Sequence, residues 1–217
     1  MKSTLYLASA SPRRHELLNQ IDLDHIVLNV PSPPGEDEPR LLTESPFEYV
    51  QRTAHEKALR AQEWILAQGI VTSDHNQSFG ILTADTTVAF GDLVLGKPRD
   101  EKEAAEILNL LSGKTHTVYT AIVLSKKLAN TPSLTSHKEK IERWRQWRSL
   151  SMTKVSFCEL TREDIEGYIA TREPYGKAGA YGIQGKAAQF IKRIEGSYSG
   201  VMGLPLYETR ELIKHLD

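Results

Sequence analysis

The sequence predicts an α/β protein in which helices cover both faces of a central sheet. Apolar and β-branched runs alternate with amphipathic segments along the chain, an order that is typical of this fold class. Several amphipathic segments begin with a hydroxyl or carboxylate side chain that is followed three residues later by an acid, which is the pattern of a helix start. Hydrophobic residues make up 40% of the 217 residues, enough for a buried core.

Strands are predicted wherever β-branched or apolar residues run together between turn residues. The predicted strands cover residues 5–8, 27–30, 80–90, 93–97, 115–125, 154–160 and 190–194. Gly91 and Asp92 form a turn that folds the third of these strands back onto the fourth.

Helices are predicted from their capping residues. Ser11 and Ser45 each precede a proline, which is favoured at the first helical position. Capping boxes are predicted at Ser45 and Asp100, Thr161 caps a further helix, and Gly69 ends the second helix. The predicted helices cover residues 12 onward, 46–68, 100–113, 161–170 and 204 to the C-terminus.

Two segments are predicted to lie at the surface. Residues 31–40, PSPPGEDEPR, combine prolines, a glycine and acids. Residues 128–152 are polar and basic, so we expect a surface insertion with a short helix around residues 137–148. Trp144 and Trp147 would suit stacking on single-stranded nucleic acid. The neutral charge of the whole chain instead favours packing of these rings, so we expect no nucleic-acid partner.

Charge and composition limit the class of protein. A net charge of −1 argues against coating nucleic acid or an anionic membrane. The one cysteine, Cys158, allows no internal disulfide, which fits the reducing cytoplasm. No segment approaches the ~20 apolar residues that span a bilayer, and the first apolar run is too short for a secretion signal. We therefore expect a cytoplasmic protein of one domain with no membrane partner.

The stretch LASASPRRHELL places Arg13 and Arg14 in the first turn of a helix. This end of the helix dipole is positive and disfavours cations. One interpretation is that both arginines are simply solvated. The other is that they bind an anion together with the free backbone N–H groups and the hydroxyls of Ser9 and Ser11. Physical chemistry alone gives the two interpretations similar weight.

Asp85 lies within the apolar run ILTADTTVAF, where a carboxylate is costly unless it is paired or bound to metal. It is either a general base or metal ligand, which we favour, or an acid satisfied by Thr86 and Thr87. The nearby GDLVLGKP nearly matches a P-loop, but Pro98 replaces the required Ser or Thr, so Lys97 is a phosphate contact or a surface lysine.

The late segment GAYGIQGK has three glycines in seven residues but not the spacing of a dinucleotide loop. Its glycines indicate either close approach of the backbone to a ligand or only turns that need a positive φ. The Gln184 amide both donates and accepts, so it would suit the edge of a base.

Seven motifs occur in an order that closely resembles the Maf family, the house-cleaning nucleoside triphosphate pyrophosphatases first described as septum-formation inhibitors. They are LASASPRRHELL, RTAHEKA, ILTADTTV, LGKPRD, LSGKTHTVYT, EPYGKAGAYGIQG and GSYSGVMGLPL. The resemblance covers nearly the whole chain, 1–217, except 128–152 and part of 31–44. It implies a mixed, twisted sheet flanked by helices, in two lobes with a cleft, similar to inosine-triphosphate pyrophosphatases.

The resemblance also implies an activity and a site. The activity is hydrolysis of a nucleoside triphosphate to the monophosphate and pyrophosphate with Mg²⁺ or Mn²⁺, in a homodimer. Asp85 matches the proton acceptor, and an acid of the first long loop also belongs to the site. Of Glu36, Asp37 and Glu38 we assign Glu38, which would hold the metal with Asp85. The positions that match phosphate-binding residues are Ser9, Arg13, Arg14, Lys57 and Lys97.

A carboxylate with an ordinary pKa of about 4 is a weak base for bulk water, so we expect the metal to acidify the nucleophile. The positions that match specificity determinants are Arg13, Thr86 and Gln184. They resemble the branch that acts on dTTP and UTP, whereas the 7-methyl-GTP branch typically carries Trp, Gln and Glu there. Alternatives are the same reaction on another or modified nucleotide, and a non-catalytic nucleotide-binding regulator of septum formation.

Overall fold

The computed structural model describes residues 3–32, 39–70, 78–128 and 144–216. Its centre is a mixed sheet flanked by helices, which confirms the predicted fold class. The strand order is β2-β1-β3-β5-β6-β7, with β4 paired to β3; β1 is parallel to β2 and β3, and the other pairs are antiparallel. The strands are β1 (Thr4–Leu7), β2 (Ile26–Val27), β3 (Phe79–Phe90), β4 (Leu93–Leu95), β5 (Thr115–Lys127), β6 (Trp144–Phe157) and β7 (Ile191–Glu195).

The helices follow the predicted order, and the capping boxes at Ser45 and Thr161 are complete. Within the described ranges, no helix has both the length and the apolar character needed to cross a membrane. A short helix, Tyr198–Met202, and two 3₁₀ turns, Ala178–Ala180 and Lys186–Phe190, were not predicted, and the predicted last helix ends in a 3₁₀ turn, Lys214–Leu216. The α-helices are α1 (Pro12–Gln20), α2 (Pro46–Ala67), α3 (Glu101–Leu111), α4 (Arg162–Ala170), α5 (Tyr198–Met202) and α6 (Leu206–Ile213).

Helix α2 packs against one face of the sheet. Ala54 and Ala58 of this helix contact Ala121 and Val123 of β5, and their small side chains let the helix approach closely. Asp85 is paired with Ala121 across the ladder, and paired residues share a face of the sheet. Asp85 therefore faces α2.

The opposite face carries the cluster that joins the sheet to α1 and α5. Leu82 of β3 packs here with Leu17 and Leu204. Successive side chains of a strand point to opposite faces, so Thr86 shares the face of Leu82 whereas Asp85 does not.

One edge of β3 is open where β1 ends. β1 stops at Leu7, which is paired with Leu82, and β4 pairs with β3 only from Val88 onward. The other edge of β3 is occupied by β5. Asp85 and Thr86 lie in the gap between β1 and β4, which lets two side chains from opposite faces reach one space.

The predicted surface insertion is wrong for residues 144–152, which form the first part of β6. β5 continues to Lys127, which pairs with Trp144, so β5 provides ladder partners for the backbone groups of this segment. The predicted helix around 137–148 is therefore wrong from residue 144 onward, and residues 129–143 lie outside the described part. Trp144 is buried with its ring 5.5 Å from that of Phe79, and the Trp147 ring stacks on His215 at 4.6 Å.

Two predicted caps differ in the structure. Ser11 occupies the N-cap of α1 but its side chain accepts no cap bond, since the Arg14 N–H donates to the Ser11 carbonyl instead. Asp100 accepts the Glu103 N–H at 2.8 Å, as predicted. The box there is only half formed, because the Glu103 carboxylate accepts the Arg99 N–H.

Candidate active site

A cavity of about 860 Å³ opens at the gap between β1 and β4. It is bounded by the segment that links β1 to α1, by α2 and β3, and by the late loop that precedes β7. Glu38, the predicted second metal ligand, lies outside the described residues, as do the alternatives Glu36 and Asp37. The cavity brings together all the other predicted site residues: Ser9, Arg13, Arg14, Lys57, Asp85, Thr86, Lys97 and Gln184.

Asp85 is held by two side chains of α2. Its Oδ1 accepts from Lys57 Nζ at 2.6 Å and its Oδ2 from Thr53 Oγ1 at 2.8 Å. Thr53 and Lys57 are four residues apart and so project from one side of the helix. The predicted alternative partner, Thr87, lies farther away, at 3.4 Å from Oδ2.

The Asp85 carboxyl remains ionised although its side chain is only 11% exposed. Burial raises its pKa, but the charge and hydrogen bond of Lys57, the charge of Arg14 and the Thr53 hydroxyl outweigh burial. The pKa therefore lies below its usual value. Asp85 is a carboxylate at neutral pH, which is the form that accepts a proton or binds a cation.

Arg14 links three parts of the cavity wall. Its Nε donates to the Gly203 carbonyl at 2.8 Å, Nη1 to Ser9 Oγ at 3.1 Å and Nη2 to Thr86 Oγ1 at 3.3 Å. Gly203 has a φ of +118°, a conformation that favours glycine. All three nitrogen atoms of the Arg14 guanidinium therefore already donate to protein groups.

Arg13 and Lys97 differ from Arg14. Both line the cavity, and neither has a hydrogen-bond or ion-pair partner within the described ranges. Arg13 also lies beside the N–H groups at the start of α1, which are the positive end of its dipole. These groups repel one another and attract an anion, so this side of the cavity suits a polyphosphate.

The late loop supplies residues that the sequence did not single out. Glu173 and Lys177 line the cavity together with Tyr175, and Asn29 and Arg60 contribute from elsewhere. Burial and the positive charge of Arg13 lower the pKa of Lys177. In the sequence, only its position in the motif EPYGKAG could have indicated Lys177 as a residue of the cavity.

The donor chemistry of the cavity fits a divalent cation bound with its substrate. The part of the chain that the structure describes contains no cluster of three His, Cys, Asp or Glu side chains suited to a metal. Mg²⁺ commonly binds proteins through one or two carboxylates and completes its shell with water and substrate phosphates. The ionised Asp85 carboxylate offers one such hard oxygen ligand beside the cations of the cavity.

Comparison with known proteins gives consistent matches. The family model for Maf-like proteins matches residues 4–216. A dTTP/UTP pyrophosphatase of Bordetella avium is 49% identical over 210 residues, which cover 97% of this chain and 94% of that protein. The dTTP/UTP pyrophosphatase of Cupriavidus metallidurans is 43% identical, over 99% of this chain and 97% of that protein. The dTTP/UTP pyrophosphatase of Pectobacterium atrosepticum is 44% identical, over 97% of this chain and 92% of that protein.

Among solved structures, a nucleoside-triphosphatase described as a dITP/XTP pyrophosphatase from Mycobacterium abscessus also matches. The match covers 78% of this chain and 94% of that chain, at 14% identity and a TM-score of 0.32. A score this low does not establish a common fold, so the expected similarity to inosine-triphosphate pyrophosphatases stays a prediction.

Proposed function

Since this chain belongs to the Maf family, we propose that it hydrolyses dTTP and UTP to the corresponding monophosphate and pyrophosphate. The observation that carries the proposal is the cavity itself, in which the ionised Asp85 pairs with Lys57 and shares the wall with Arg13 and Lys97. This combination binds a polyphosphate and accepts a proton from water. The names of the relatives, which are dTTP/UTP pyrophosphatases, support the choice of nucleotide.

The cations divide the work of phosphate binding. Arg13 and Lys97 have no partner to give up within the described ranges, so they bind phosphate oxygens directly. Arg14 holds Ser9 in place and adds its charge to the field of the cavity. Lys57, which lies 2.6 Å from Asp85, turns toward the phosphates as the site fills. Together these charges stabilise the negative charge that develops on the departing pyrophosphate.

The chemical step is attack of water on the α-phosphorus. The oxygen of water forms a bond to phosphorus while the bond to the bridging oxygen of pyrophosphate breaks. Asp85 accepts the proton that water loses and later returns it to solvent. Thr53 keeps the Asp85 carboxylate oriented, since its hydroxyl donates to Oδ2 at 2.8 Å.

A divalent cation, Mg²⁺ or Mn²⁺, fits beside Asp85, and we propose Glu38 as its second protein ligand. When bound, it would acidify the attacking water and neutralise phosphate charge, which a carboxylate of low pKa cannot do alone.

The base is recognised at the other end of the cavity. Uracil and thymine present one N–H between two carbonyls, and the Gln184 amide offers one acceptor and two donors. Gln184 is exposed on the cavity wall, whereas Thr86 is fixed by Arg14 and lies 3.0 Å from Thr120 Oγ1. We propose Gln184 as a specificity residue on this chemistry, and Arg13 and Thr86 because they match the positions that set specificity in the family.

The test is pyrophosphate release from a panel of nucleotides with Mg²⁺ or Mn²⁺, run with Asp85→Asn. We expect release from dTTP and UTP, and a fall in kcat of about 10²–10⁴-fold in the variant, since a general base typically contributes that much. Asp92→Asn is the matched control, because Asp92 is an exposed acid at the turn of the same β3–β4 hairpin.

Three other results would change the assignment. Release from 7-methyl-GTP or another nucleotide in preference to dTTP would keep the reaction and replace the substrate. Tight nucleotide binding without release would favour a non-catalytic regulator. Equal loss in Asp85→Asn and Asp92→Asn would remove Asp85 as the base.

The setting of the enzyme is also a proposal. We expect a cytoplasmic homodimer that acts on free nucleotides and binds neither nucleic acid nor membrane. The burial of Trp144 supports the expectation that the protein does not bind nucleic acid, because the Trp144 ring packs on Phe79 and is not available for stacking on a base. Light scattering on the eluted protein would give the mass of the assembly.

A further inference from the structure

The loop that carries Gln184 is anchored at both ends by a relay of hydrogen bonds. The Gly182 N–H donates to the Tyr168 hydroxyl at 3.2 Å, and that hydroxyl donates to Glu173 Oε1 at 2.9 Å. At the other end of the loop, the Lys186 N–H donates to Glu173 Oε2 at 3.0 Å. One carboxylate therefore fixes both sides of a segment of five residues, 182–186.

The loop closes tightly over this carboxylate. The Gly185 N–H donates to the Gly182 carbonyl at 3.1 Å, which makes a turn with Gln184 at its third position. A Cβ on Gly185 would overlap the Glu173 carboxylate. Gly185 has a φ of −100°, so it is this close approach and not its backbone conformation that requires glycine here. Ile183 and Gln184 both line the cavity, but the Ile183 side chain is buried, so Gln184 presents the exposed polar side chain of this turn.

We infer that Tyr168 and Glu173 are positioning residues for base recognition, which hold the 182–186 loop so that Gln184 meets the base of the nucleotide. The inference rests on the proposed function, since it concerns the substrate of the same cavity. Substitution of Tyr168 gives the clearer test of the two, because Tyr168 does not line the cavity and so acts only through the loop. Its ring is buried 5.5 Å from the ring of Phe190, so Tyr168→Phe keeps the packing and removes only the hydroxyl.

The arrangement separates base recognition from phosphate binding. In the part of the chain that the structure describes, no hydrogen bond or ion pair joins Arg13 or Lys97 to Tyr168 or Glu173, so these phosphate contacts should survive the loss of the Tyr168 hydroxyl. A variant that merely unfolds part of the protein would weaken both kinds of binding equally. The ratio of the two affinities is therefore the decisive quantity.

The experiment compares wild type with Tyr168→Phe and Glu173→Gln. We expect the Kd and KM for dTTP to rise about tenfold in Tyr168→Phe, the order expected for losing a hydrogen bond that leaves a donor and an acceptor unpaired. The Kd for inorganic tripolyphosphate should not change. Amide exchange in the 182–186 segment should become faster, since Gly182 loses its acceptor. Glu173→Gln should raise the Kd for dTTP and speed amide exchange in the same way, but it also removes a negative charge from the cavity wall, so the comparison with tripolyphosphate is made on Tyr168→Phe.

Glu166→Gln is the matched control, because Glu166 lies on α4 with Tyr168 and pairs with Arg162 at an exposed position. Equal loss of dTTP and tripolyphosphate binding in Tyr168→Phe, or no change in dTTP binding, would overturn the inference. Wild type that binds dTTP without releasing pyrophosphate would refute the proposed reaction while the affinity ratio still decides the inference. Wild type that does not bind dTTP would refute both.

Discussion

The two walls of the cavity are held together by different forces. The phosphate wall, formed by Ser9, Arg13, Arg14, Lys57, Asp85 and Lys97, is a set of charges that partly neutralise one another. The base wall, formed by Glu173 and the 182–186 loop, is held by backbone N–H groups, a phenol and one carboxylate. Under the proposed function, the first wall would rearrange its charges when substrate binds, whereas the hydrogen bonds of the second wall are already formed.

This difference explains how one cavity can bind a polyphosphate strongly and still select among bases. Charges act over several ångströms and recognise any polyphosphate, so they supply affinity with little information about the base. A short turn fixed by hydrogen bonds supplies geometry, which is what discriminates one base edge from another. Substitutions in the two walls should therefore have different signatures in kinetics and in stability.

After Asp85→Asn, the largest effect should come from Arg14→Lys. Lysine keeps the charge but loses the planar fork that joins Gly203, Ser9 and Thr86. We expect kcat/KM for dTTP to fall about 100-fold, with a loss of about 2 kcal/mol in the free energy of unfolding, since hydrogen bonds to charged groups contribute 1.5–3 kcal/mol. Steady-state kinetics and chemical denaturation measure the two quantities.

Arg13→Lys is the paired control, since Arg13 has no such contacts within the described ranges. It should raise the KM for dTTP and leave the free energy of unfolding unchanged. If both variants lose the same stability, Arg14 has no special role in joining the wall.

An intermediate effect is expected for Gln184→Glu. A carboxylate at this position has no donor for the base carbonyls, so dTTP and UTP turnover should fall about 10–100-fold, which corresponds to the cost of leaving a buried polar group unpaired. Gln184 is exposed, so the melting temperature should not change. Unchanged kinetics for both nucleotides would exclude Gln184 from base recognition.

The smallest expected effect is the change of stability with pH that His116 causes. His116 contacts Tyr181, which directly precedes the 182–186 loop. Its Nε2 is 2.7 Å from the Tyr181 hydroxyl, and burial lowers its pKa from 6.5 to about 4. Below pH 6.5 the unfolded chain gains a proton that the folded chain does not accept until about pH 4. Stability is therefore complete above pH 6.5 and falls as the pH decreases, by about 1 kcal/mol at pH 5.5.

Denaturation of His116→Gln at pH 7.5 and 5.5 tests this effect. The difference between the two pH values should be about 1 kcal/mol smaller than in wild type, because glutamine does not titrate. The same pH dependence in His116→Gln and wild type would show that His116 does not titrate in the way its burial requires.

Most of the fold could be predicted from local signals. The β-branched, apolar run of β3, the alternation in β5, the cap at Ser45 and the glycine after α2 are each local features, so the sequence displays them directly. Residues 144–152 could not be predicted, because their strand exists through pairing with β5 and not through an apolar pattern of their own. The Asp100 box failed for a similar reason, since Glu103 found a competing donor in Arg99.

The site was predictable as a set of residues but not as an arrangement. Motif order identified Asp85, the cations and Gln184, and all of them line one cavity. Nothing in the motif LASASPRRHELL distinguishes Arg13 from Arg14, yet only Arg14 is bound to Thr86 and Gly203. Tyr168 was missed because its signal is a lone aromatic residue on a helix, which is more often part of a core.

The sequence by itself determined the fold class, most of the helix starts and a set of polar residues that prove to share one cavity, since these depend on local conformational preference and side-chain type. The tertiary structure alone decided which charges are already paired and which face the cavity. It did so because β1 ends before Asp85 and β4 begins after it, and this gap in the sheet brings side chains from opposite faces, and from distant parts of the chain, into one space.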